Sequence, residues 1–347
     1  MTYAILQHPG HNRVYFETAL RLSLCEFRIA AQKFSVAYEN LRNENICGID
    51  YLAFDTSAAL TGGDIGILSG LSFVFALFEI DGIGKNLRFI PLKRLNENFV
   101  SDSISSILKY TGKTNEIFTR MMLNIAAASI DCNAQGGINL LDPIAGKGTT
   151  IYEALIKGYN SYGIEIGDKV TTEAYLYLKR FLENAKYKFS LDTVKISGAG
   201  KAFTATRHSF TMAQNKQAFK DGDTRYAEFI AGNSRHAKSF YKKNFFHMIV
   251  GDLPYGVQHG NVTNEKQSSL TRNPTELLNA CLPSWLEVLR PGGCIVLAWN
   301  SNVLPHEKMA LLFEKNGLVL KNGEAYADFE HRVDQAITRD IIVANKR

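Results

Sequence analysis

The sequence predicts an α/β protein, with a doubly wound, mostly parallel sheet preceded by a smaller α+β domain. Two observations lead to this prediction. From about residue 112 onward, short apolar runs alternate with segments whose apolar residues recur every three or four positions, which is the pattern of strands followed by helices. Before that point, one helix-like segment precedes a strand-rich stretch. We therefore expect an N-terminal domain over residues 1–105 and the doubly wound domain over residues 106–347.

Composition narrows the class of protein. The chain has 347 residues, enough for about two domains, and 46% of them are hydrophobic, so a sizeable core can form. A formal net charge of +5 permits a polyanionic partner without requiring one. The five cysteines form no C-x-x-C pair and no zinc-site spacing, which predicts a reduced compartment and no metal. No apolar run reaches the roughly 20 residues of a spanning helix, so we expect a cytoplasmic protein that does not enter a membrane.

The N-terminal region is predicted to combine one helix with several strands. The segment Glu17–Ala30 has apolar residues spaced for one helical face. Residues 46–93 are predicted to be rich in strands, with Gly-Gly and Asp-Gly turns at 62–63 and 81–82. The apolar run between Asp64 and Glu79 is predicted to form buried strands.

The second region is predicted to place its ligand at the carboxyl ends of its strands, as open α/β sheets do. A polar, lysine-bearing segment at residues 186–226 interrupts the alternation, either as an RNA-contacting insert or as a solvated loop. The predicted elements are helix Asn115–Ser129, strand Ile138–Leu141, helix Thr149–Lys157, strand Ser161–Ile166, a helix carrying Tyr175, Leu178 and Leu182, strands Ala227–Ala231 and Phe245–Val250, helix Glu276–Leu289, strand Cys294–Trp299, and a terminal hairpin of strands near Ala325–Phe329 and Asp340–Ala344.

The stretch LLDPIAGKGTT, Leu140–Thr150, resembles a phosphate-binding loop but fails its pattern. That loop requires G-x-x-x-x-G-K-[ST]. Here Gly148 follows Lys147, and Leu141 stands where the first glycine is required. The dinucleotide-binding pattern G-x-G-x-x-G fails as well, because its last position is Ile151.

What remains is a strand, the pattern D-P-x-x-G-x-G-T, and a helix. Gly146 and Gly148 would let a ligand approach the backbone closely, and the following helix offers free N–H groups. Asp142 would disfavour a phosphate but suits a cationic ligand such as S-adenosylmethionine, which carries an amine and a sulfonium. A tight structural turn is the alternative explanation.

A second motif, GDLPYG at Gly251–Gly256, follows the strand Phe245–Val250. Alone it could be an ordinary turn, but it follows the first motif in order, about 100 residues later. Together the two motifs resemble class I S-adenosylmethionine-dependent methyltransferases with a [DNS]-P-P-[YF]-type tetrad, which methylate planar exocyclic or amide nitrogens. Within that class the chain is similar to RNA methylases related to the THUMP-associated tRNA guanosine N2-methyltransferases. The sequence of residues 1–105 does not identify a THUMP domain, and the resemblance makes RNA binding a candidate role for this region.

Four further features carry the resemblance, which covers about residues 112–347. Thr114–Met122 resembles the family's cofactor-tail motif, and Glu165 stands where the family places its ribose-binding acid. Leu289–Gly293 precedes the fifth strand, and Arg339–Lys346 resembles the last strand. The resemblance implies a Rossmann-like domain with a mostly parallel, seven-stranded sheet that ends in an antiparallel hairpin.

The resemblance also implies which residues bind the cofactor S-adenosyl-L-methionine. Asn233 stands where an Asp is usual, and its side-chain oxygen could still accept from an adenine amine. The predicted cofactor-binding residues are Phe118 and Thr119 in the tail motif, Asp142, Pro143, Ala145, Gly146, Gly148 and Thr149 in the first loop, Glu165 and Ile166 after the second strand, Asn233 and Ser234 after the third, and Asp252 in the tetrad.

The tetrad suits chemistry on an amine. An amine on an aromatic ring is a poor nucleophile because its lone pair is delocalised into the ring. Two acceptors aimed at its N–H bonds, the Asp252 carboxylate and the Leu253 carbonyl, could localise that lone pair. Pro254 restricts the residue before it to extended geometry, and Tyr255 offers a face on which a flipped base could stack, worth about 1–3 kcal/mol. These four residues are the predicted catalytic set.

The predicted reaction is methyl transfer to an exocyclic amino group of a nucleobase in RNA, with guanine N2 in tRNA favoured. Leu253 in place of the tetrad's first proline, a variation that occurs in some guanosine N2-methyltransferases, is the reason for preferring guanine. The alternatives are adenine N6 or cytosine N4 in DNA, a protein glutamine, and a non-catalytic binding module. The intact Asp252, Pro254 and Tyr255 argue against the last. Whether the protein is a monomer or a dimer stays open.

Overall fold

The computed structural model describes residues 1–8, 13–82, 86–95, 98–107, 114–198, 200, 202–254 and 274–347. The chain forms two compact units. The first comprises Met1–Glu97 and Asn322–Phe329, and the second comprises Asn98–Lys321 and Glu330–Arg347. Within the described residues, no helix is long and apolar enough to cross a bilayer.

The first unit contains a five-stranded antiparallel sheet in the order β2-β3-β1-β4-β5. Apolar side chains from this sheet and from both helices form its core. The elements are β1 Thr2–Gln7, α1 Arg13–Ala30, β2 Tyr38–Ile46, β3 Ile49–Thr56, α2 Gly62–Ser69, β4 Val74–Asp81 and β5 Arg88–Leu92.

The apolar run after Asp64 is half helix and half strand. The prediction of strands is wrong for α2, although β4 confirms it further along. A capping box starts the helix: the Asp64 N–H donates to the Thr61 hydroxyl at 3.2 Å, and the Thr61 N–H donates to the Asp64 carboxylate at 2.9 Å. These reciprocal bonds satisfy N–H groups that the first helical turn leaves open, so the Gly-Gly pair belongs to a helix start rather than to a hairpin turn.

The second unit contains a ten-stranded sheet, ordered β13-β15-β12-β11-β6-β7-β10-β9-β8, with β14 paired to β15. Its elements are α3 Ser103–Ser106, α4 Glu116–Ser129, β6 Asn139–Asp142, α5 Thr149–Ile156, β7 Asn160–Glu165, α6 Asp168–Asn184, β8 Lys188–Ser197, β9 Thr204–Ala213, α7 Lys216–Lys220, β10 Arg225–Ala231, α8 Ala237–Phe240, β11 Phe246–Asp252, α9 Thr275–Val288, β12 Leu289–Asn300, α10 His306–Lys315, β13 Leu318–Leu320, β14 His331–Arg332 and β15 Thr338–Lys346.

The five central strands, β10, β7, β6, β11 and β12, run parallel, and β15 and β13 follow them as an antiparallel pair. Side chains alternate between the two faces. Phe229 of β10 belongs to the apolar cluster on one face, which includes residues of α5 and α6, and its neighbour Ile230 belongs to the cluster on the other face, which includes residues of α8, α9 and α10. The predicted doubly wound sheet with a terminal hairpin is confirmed, and β8, β9 and β14 extend it.

Two predicted segments differ in the structure. Residues 186–226 are not a loop: β8 and β9 form an antiparallel hairpin that adds two strands beside β10. The predicted late strand near Ala325–Phe329 is wrong, because Gly323 turns the chain at a φ of 117° and Glu324–Tyr326 forms a short 3₁₀ helix in the first unit. The hairpin partner of β15 is instead β13.

The segment just after the first unit packs in the second. Phe99, Val100 and Ile104 are buried among apolar side chains of α5, which include Ile151 and Leu155. The predicted domain division at residue 105 stays a prediction, whereas the compact units of the structure divide after Glu97.

A buried carboxylate joins α3, α4 and α5. Glu153 has no exposed surface, and its two oxygens accept from the Ser105 hydroxyl and from Arg120 Nε, the latter at 2.8 Å. Because α4 and α5 both flank the strand-end loop of β6, this network fixes the scaffold of the candidate site.

Replacing Glu153 with alanine should lower the free energy of unfolding by about 2–4 kcal/mol, because it removes the closer carboxylate from the largely buried Arg120 and leaves the more distant carboxylate of Asp102, at 4.0 Å. Urea denaturation measures the change. Glu183→Ala is the matched control, since Glu183 pairs with Lys179 on an exposed helix face, and its loss should cost about 0.5 kcal/mol or less. Equal effects of the two substitutions would contradict the assigned role.

Candidate functional site

Polar side chains collect at one edge of the parallel sheet. The strands β10, β7, β6 and β11 are neighbours and run in the same direction, so their carboxyl ends meet at that edge. Asp142 ends β6, Glu165 ends β7, Asn233 follows β10, and Asp252 ends β11. The structure therefore brings together the four polar positions that the sequence predicted for one site.

The loop after β6 has the left-handed backbone that its glycines allow. Gly146 has a φ of 52° and Gly148 a φ of 91°, values that side-chain-bearing residues rarely adopt. A Cβ on Gly148 would lie 3.0 Å from the Tyr152 ring and 3.1 Å from the Phe229 ring, whereas a Cβ on Gly146 would meet nothing within 4 Å. Gly148 is thus required by packing, and Gly146 borders open space that a ligand could occupy.

The remaining predicted residues of this loop line its buried side. Pro143, Ala145 and Thr149 are buried, with Thr149 opening α5. Lys147, which gives the stretch its resemblance to a phosphate-binding loop, forms an ion pair with Glu173 of α6 at 2.7 Å.

Glu165 joins the loops that follow β6 and β7. Its carboxylate accepts from the Gly146 N–H at 3.1 Å and from the Gly167 N–H at 2.8 Å. The next residue, Ile166, is 40% exposed, so it offers an apolar surface beside the acid. This arrangement suits the predicted roles, with the acid available to hydroxyl groups and the isoleucine to a flat ring.

Asp142 is a buried acid with an abnormal pKa. Burial, the largest cause, and the nearby charges of Asp252 and Glu165 together raise that pKa to about 7, although hydrogen bonds from Thr150 and the Ile144 N–H act to lower it. Three carboxylates close enough to interact would repel a phosphate. They favour a ligand that carries positive charge.

Asn233 offers a donor in addition to the predicted acceptor. Its side-chain oxygen accepts from the Arg235 N–H at 3.1 Å and so caps a short 3₁₀ helix. Its Nδ2 is buried and has no hydrogen-bond partner among the described residues, so this group could donate to a ring nitrogen. The Ser234 hydroxyl is engaged with α9 instead, because it accepts a hydrogen bond from Trp285 Nε1 at 2.7 Å.

The tail motif starts α4 beside the site. Asn115 caps the helix by accepting from the N–H groups of Ile117 and Phe118. Phe118 is buried beneath the guanidinium of Arg339, whose central carbon lies 4.3 Å from the ring centroid. Thr119 has no exposed surface and donates to the Asn115 carbonyl at 3.1 Å, so in this conformation its side chain presents nothing to a ligand.

The tetrad begins on the last residue of β11. Asp252 Oδ2 accepts from the Thr114 hydroxyl at 2.8 Å. Leu253 is buried, and its N–H donates to the Ala298 carbonyl at 2.8 Å, which fixes this stretch of backbone against β12. Pro254 is partly exposed, and Tyr255 lies outside the described residues.

Arg339 of β15 is a site residue that sequence reasoning missed. Its guanidinium lies 3.4 Å from Asp252 Oδ2, and the residue is only 7% exposed. The last strand was recognised as a motif, but nothing in its sequence shows that its first charged residue faces β11. Only the pairing of β15 with β12, which sets Arg339 opposite Asn300, places it there.

No metal site accompanies these groups in the described part of the chain, where no three His, Cys, Asp or Glu side chains are placed to hold an ion.

Comparison with known proteins identifies the family. A family model described as UPF0020, RMKL-like, methyltransferase domain, matches residues 114–322. The chain belongs to this methyltransferase family. Its cofactor is S-adenosyl-L-methionine. A search of curated proteins found no match to the chain.

Solved structures resemble this methyltransferase more distantly. TrmN from Thermus thermophilus is 13% identical, with 100% of this chain and 99% of that chain covered and a TM-score of 0.43. An rRNA methylase from Streptococcus thermophilus is 11% identical over 68% and 99%, with a TM-score of 0.33. Magnesium protoporphyrin IX methyltransferase from Synechocystis, with bound S-adenosylmethionine, is 12% identical over 69% and 87%, with a TM-score of 0.36. All three scores are below 0.5.

The site of this methyltransferase fits the cofactor chemically. The three carboxylates suit a ligand with a sulfonium and an amine, and the open space beside Gly146 leaves room at the loop backbone. The unpartnered Nδ2 of Asn233 suits an acceptor on an adenine ring. The individual residue assignments remain predictions.

Binding of the cofactor should depend on pH. Between pH 5.5 and 7 the Asp142 carboxyl is largely protonated, because its pKa is about 7, and a cationic ligand must displace that proton. The Kd for S-adenosylmethionine should therefore weaken by up to about tenfold per pH unit below pH 7. Asp142→Asn should remove this component, which calorimetry from pH 5.5 to 8.5 would detect. Ionisation of the cofactor affects both proteins equally, so parallel profiles would contradict the prediction.

Alanine at the two loop glycines should have different effects, one mainly on stability and the other mainly on cofactor affinity. Gly148→Ala should lower the free energy of unfolding by about 2–4 kcal/mol, because a left-handed alanine would also crowd two rings. Gly146→Ala should cost about 1–2 kcal/mol but weaken cofactor binding at least about tenfold by filling the open space. Urea denaturation and calorimetry separate the two effects. Unchanged cofactor affinity in Gly146→Ala would show that the space lies outside the cofactor site.

Proposed function

We propose that this methyltransferase transfers the methyl group to an exocyclic amino group of a nucleobase in RNA, with guanine N2 in tRNA as the target. The observation that carries the proposal is the placement of the Asp252 carboxylate. It ends β11 next to the strand end and loop of Asp142, and the buried Leu253 and the partly exposed Pro254 follow it. An acceptor for an amine thus lies beside the proposed cofactor loop.

The chain's own groups prepare the amine for reaction. S-adenosylmethionine supplies a methyl group on a positively charged sulfur. The Asp252 carboxylate and the Leu253 carbonyl accept the two N–H bonds of the amine, which localises its lone pair on nitrogen. The nitrogen–carbon bond would form as the carbon–sulfur bond breaks and leaves a neutral thioether, and Asp252 or water would take the proton that the nitrogen then releases. No strong base is needed, because the nitrogen is cationic before it loses the proton.

The backbone around Leu253 supports this role. The Leu253 N–H is held by Ala298 on β12, and its side chain is buried in the core, so the direction of the peptide is constrained from both sides. Pro254 restricts the residue before it to extended geometry and lacks an N–H that would compete for acceptors. Positioning of this kind can contribute about 7–11 kcal/mol toward lowering a barrier.

Four features support guanine in RNA as the substrate. The sequence resemblance reaches RNA methylases, and the leucine at the second tetrad position favours guanine. The net charge of +5 is compatible with a polyanion. Lys188 and Lys195 are exposed on the outer strand β8, where they could contact phosphates. A base within a duplex would have to be flipped out to reach Asp252.

In RNA from cells that lack this protein, we expect N2-methylguanosine to be lost from a tRNA fraction, as measured by mass spectrometry of nucleosides. Wild-type protein should restore the nucleoside. Asp252→Ala should not restore it, although this variant should fold and still bind S-adenosylmethionine, more weakly than wild type because one of the three carboxylates is lost. Loss of a methylated base from DNA instead, or restoration by Asp252→Ala, would contradict the proposal.

A further inference from the structure

Arg339 contacts the proposed catalytic carboxylate from β15, which β12 separates from β11 in the sheet. Its Nη2 lies 3.4 Å from Asp252 Oδ2, and the Thr114 hydroxyl donates to the same oxygen at 2.8 Å. Both Asp252 and Arg339 have side chains that are at most 12% exposed. This ion pair is therefore shielded from solvent, where geometry matters more than it does for an exposed pair.

The arginine is itself held in place. Its guanidinium carbon lies 4.3 Å from the centroid of the Phe118 ring, and the centroid of the His331 ring lies 5.5 Å from the same Phe118 centroid. His331 pairs with Arg339 across β14 and β15. Stacking on an aromatic face orients a planar guanidinium, so its direction toward Asp252 is set by neighbours on two elements.

We propose that Arg339 is a positioning residue that sets the direction of the Asp252 carboxylate for methyl transfer. The two oxygens of a carboxylate are rigidly linked, so fixing Oδ2 also fixes the direction of Oδ1. The two donors to Oδ2 are Thr114, just before α4, and Arg339, in β15, so residues from opposite ends of the domain's sequence hold the same oxygen. The inference rests on the proposed function, because it requires Asp252 to accept the N–H of the substrate amine.

The same contacts connect the cofactor-tail segment to the tetrad. Thr114 and Phe118 stand at the start of α4 and both touch the Asp252–Arg339 pair. A rearrangement of this segment on cofactor binding would therefore move the carboxylate as well. Two rival roles are possible for Arg339: a direct ligand of the cofactor's own carboxylate, and a purely structural contact between β15 and α4.

The test compares Arg339→Met, Arg339→Lys and Asp252→Ala with wild type. Three quantities are measured: kcat on RNA from cells lacking the protein, the Kd for S-adenosylmethionine by calorimetry, and the free energy of unfolding in urea. Arg339→Met should lower kcat about 100-fold, the loss that a small displacement of a reacting group produces, with the Kd within about threefold of wild type. Arg339→Lys, which keeps the positive charge, should recover at least about tenfold of that loss.

Arg332→Met is the matched control. Arg332 lies next to His331 on β14, pairs with Thr338 of the same strand β15, and is exposed. This substitution should leave kcat unchanged, which shows that loss of an arginine at this corner is not sufficient to lower activity.

Each remaining outcome decides between the roles. A normal kcat in Arg339→Met overturns the proposal. A Kd weakened tenfold or more with normal kcat indicates a cofactor ligand, and equal loss in the Lys and Met variants with lowered stability indicates a structural contact. Crystal structures add a readout without substrate: Asp252 should leave its contact with Thr114 in Arg339→Met, and an unmoved carboxylate overturns the proposal.

Activity in Asp252→Ala would refute the proposed function, whereas an inactive Asp252→Ala beside a fully active Arg339→Met refutes only this inference.

Discussion

The burial of Asp142 beside two other carboxylates is the constraint on which this site depends. Parallel strands bring Asp142, Glu165 and Asp252 to one edge, close enough for the charges of the other two to raise the pKa of Asp142. Each acid is accommodated differently. Asp142 is buried and holds its proton up to about pH 7, Glu165 accepts two backbone N–H bonds, and Asp252 is held by Thr114 and an arginine. A methyltransferase whose cofactor carries positive charge can use this excess of negative charge, which would exclude a phosphate.

The same constraint explains why the lysine of LLDPIAGKGTT is uninformative. In a phosphate loop the lysine faces the ligand, but Lys147 turns outward to Glu173 on α6. The positions that shape the loop are its two glycines, one because neighbouring rings leave no room for a side chain and the other because it borders open space. The chemistry of the loop thus follows from its backbone and from the acid that precedes it.

Local sequence patterns predicted those elements whose structure depends mainly on neighbouring residues. Apolar runs located the parallel strands, and a glycine-rich turn after β6 together with the acid after β7 located the strand-end site. The capping box at Thr61 was also readable, yet the continuous apolar run concealed a helix because it lacks polar residues at helical spacing. The β8–β9 hairpin was hidden for the opposite reason: its outer strand is polar and exposed on most positions, which makes it resemble a loop until β10 supplies the pairing.

Arg339 could not be predicted because its place follows from strand direction. The parallel strands end at the edge that carries the acids, so a further parallel strand beside β12 would bring only its last residues there. The strand β15 is antiparallel, with Arg339 opposite Asn300 at the end of β12, and it therefore brings its first residues to that edge. Reversal of this one strand is what allows a cation from the end of the chain to reach a carboxylate at the end of β11. The terminal hairpin of the domain thereby contributes to the site as well as to the sheet.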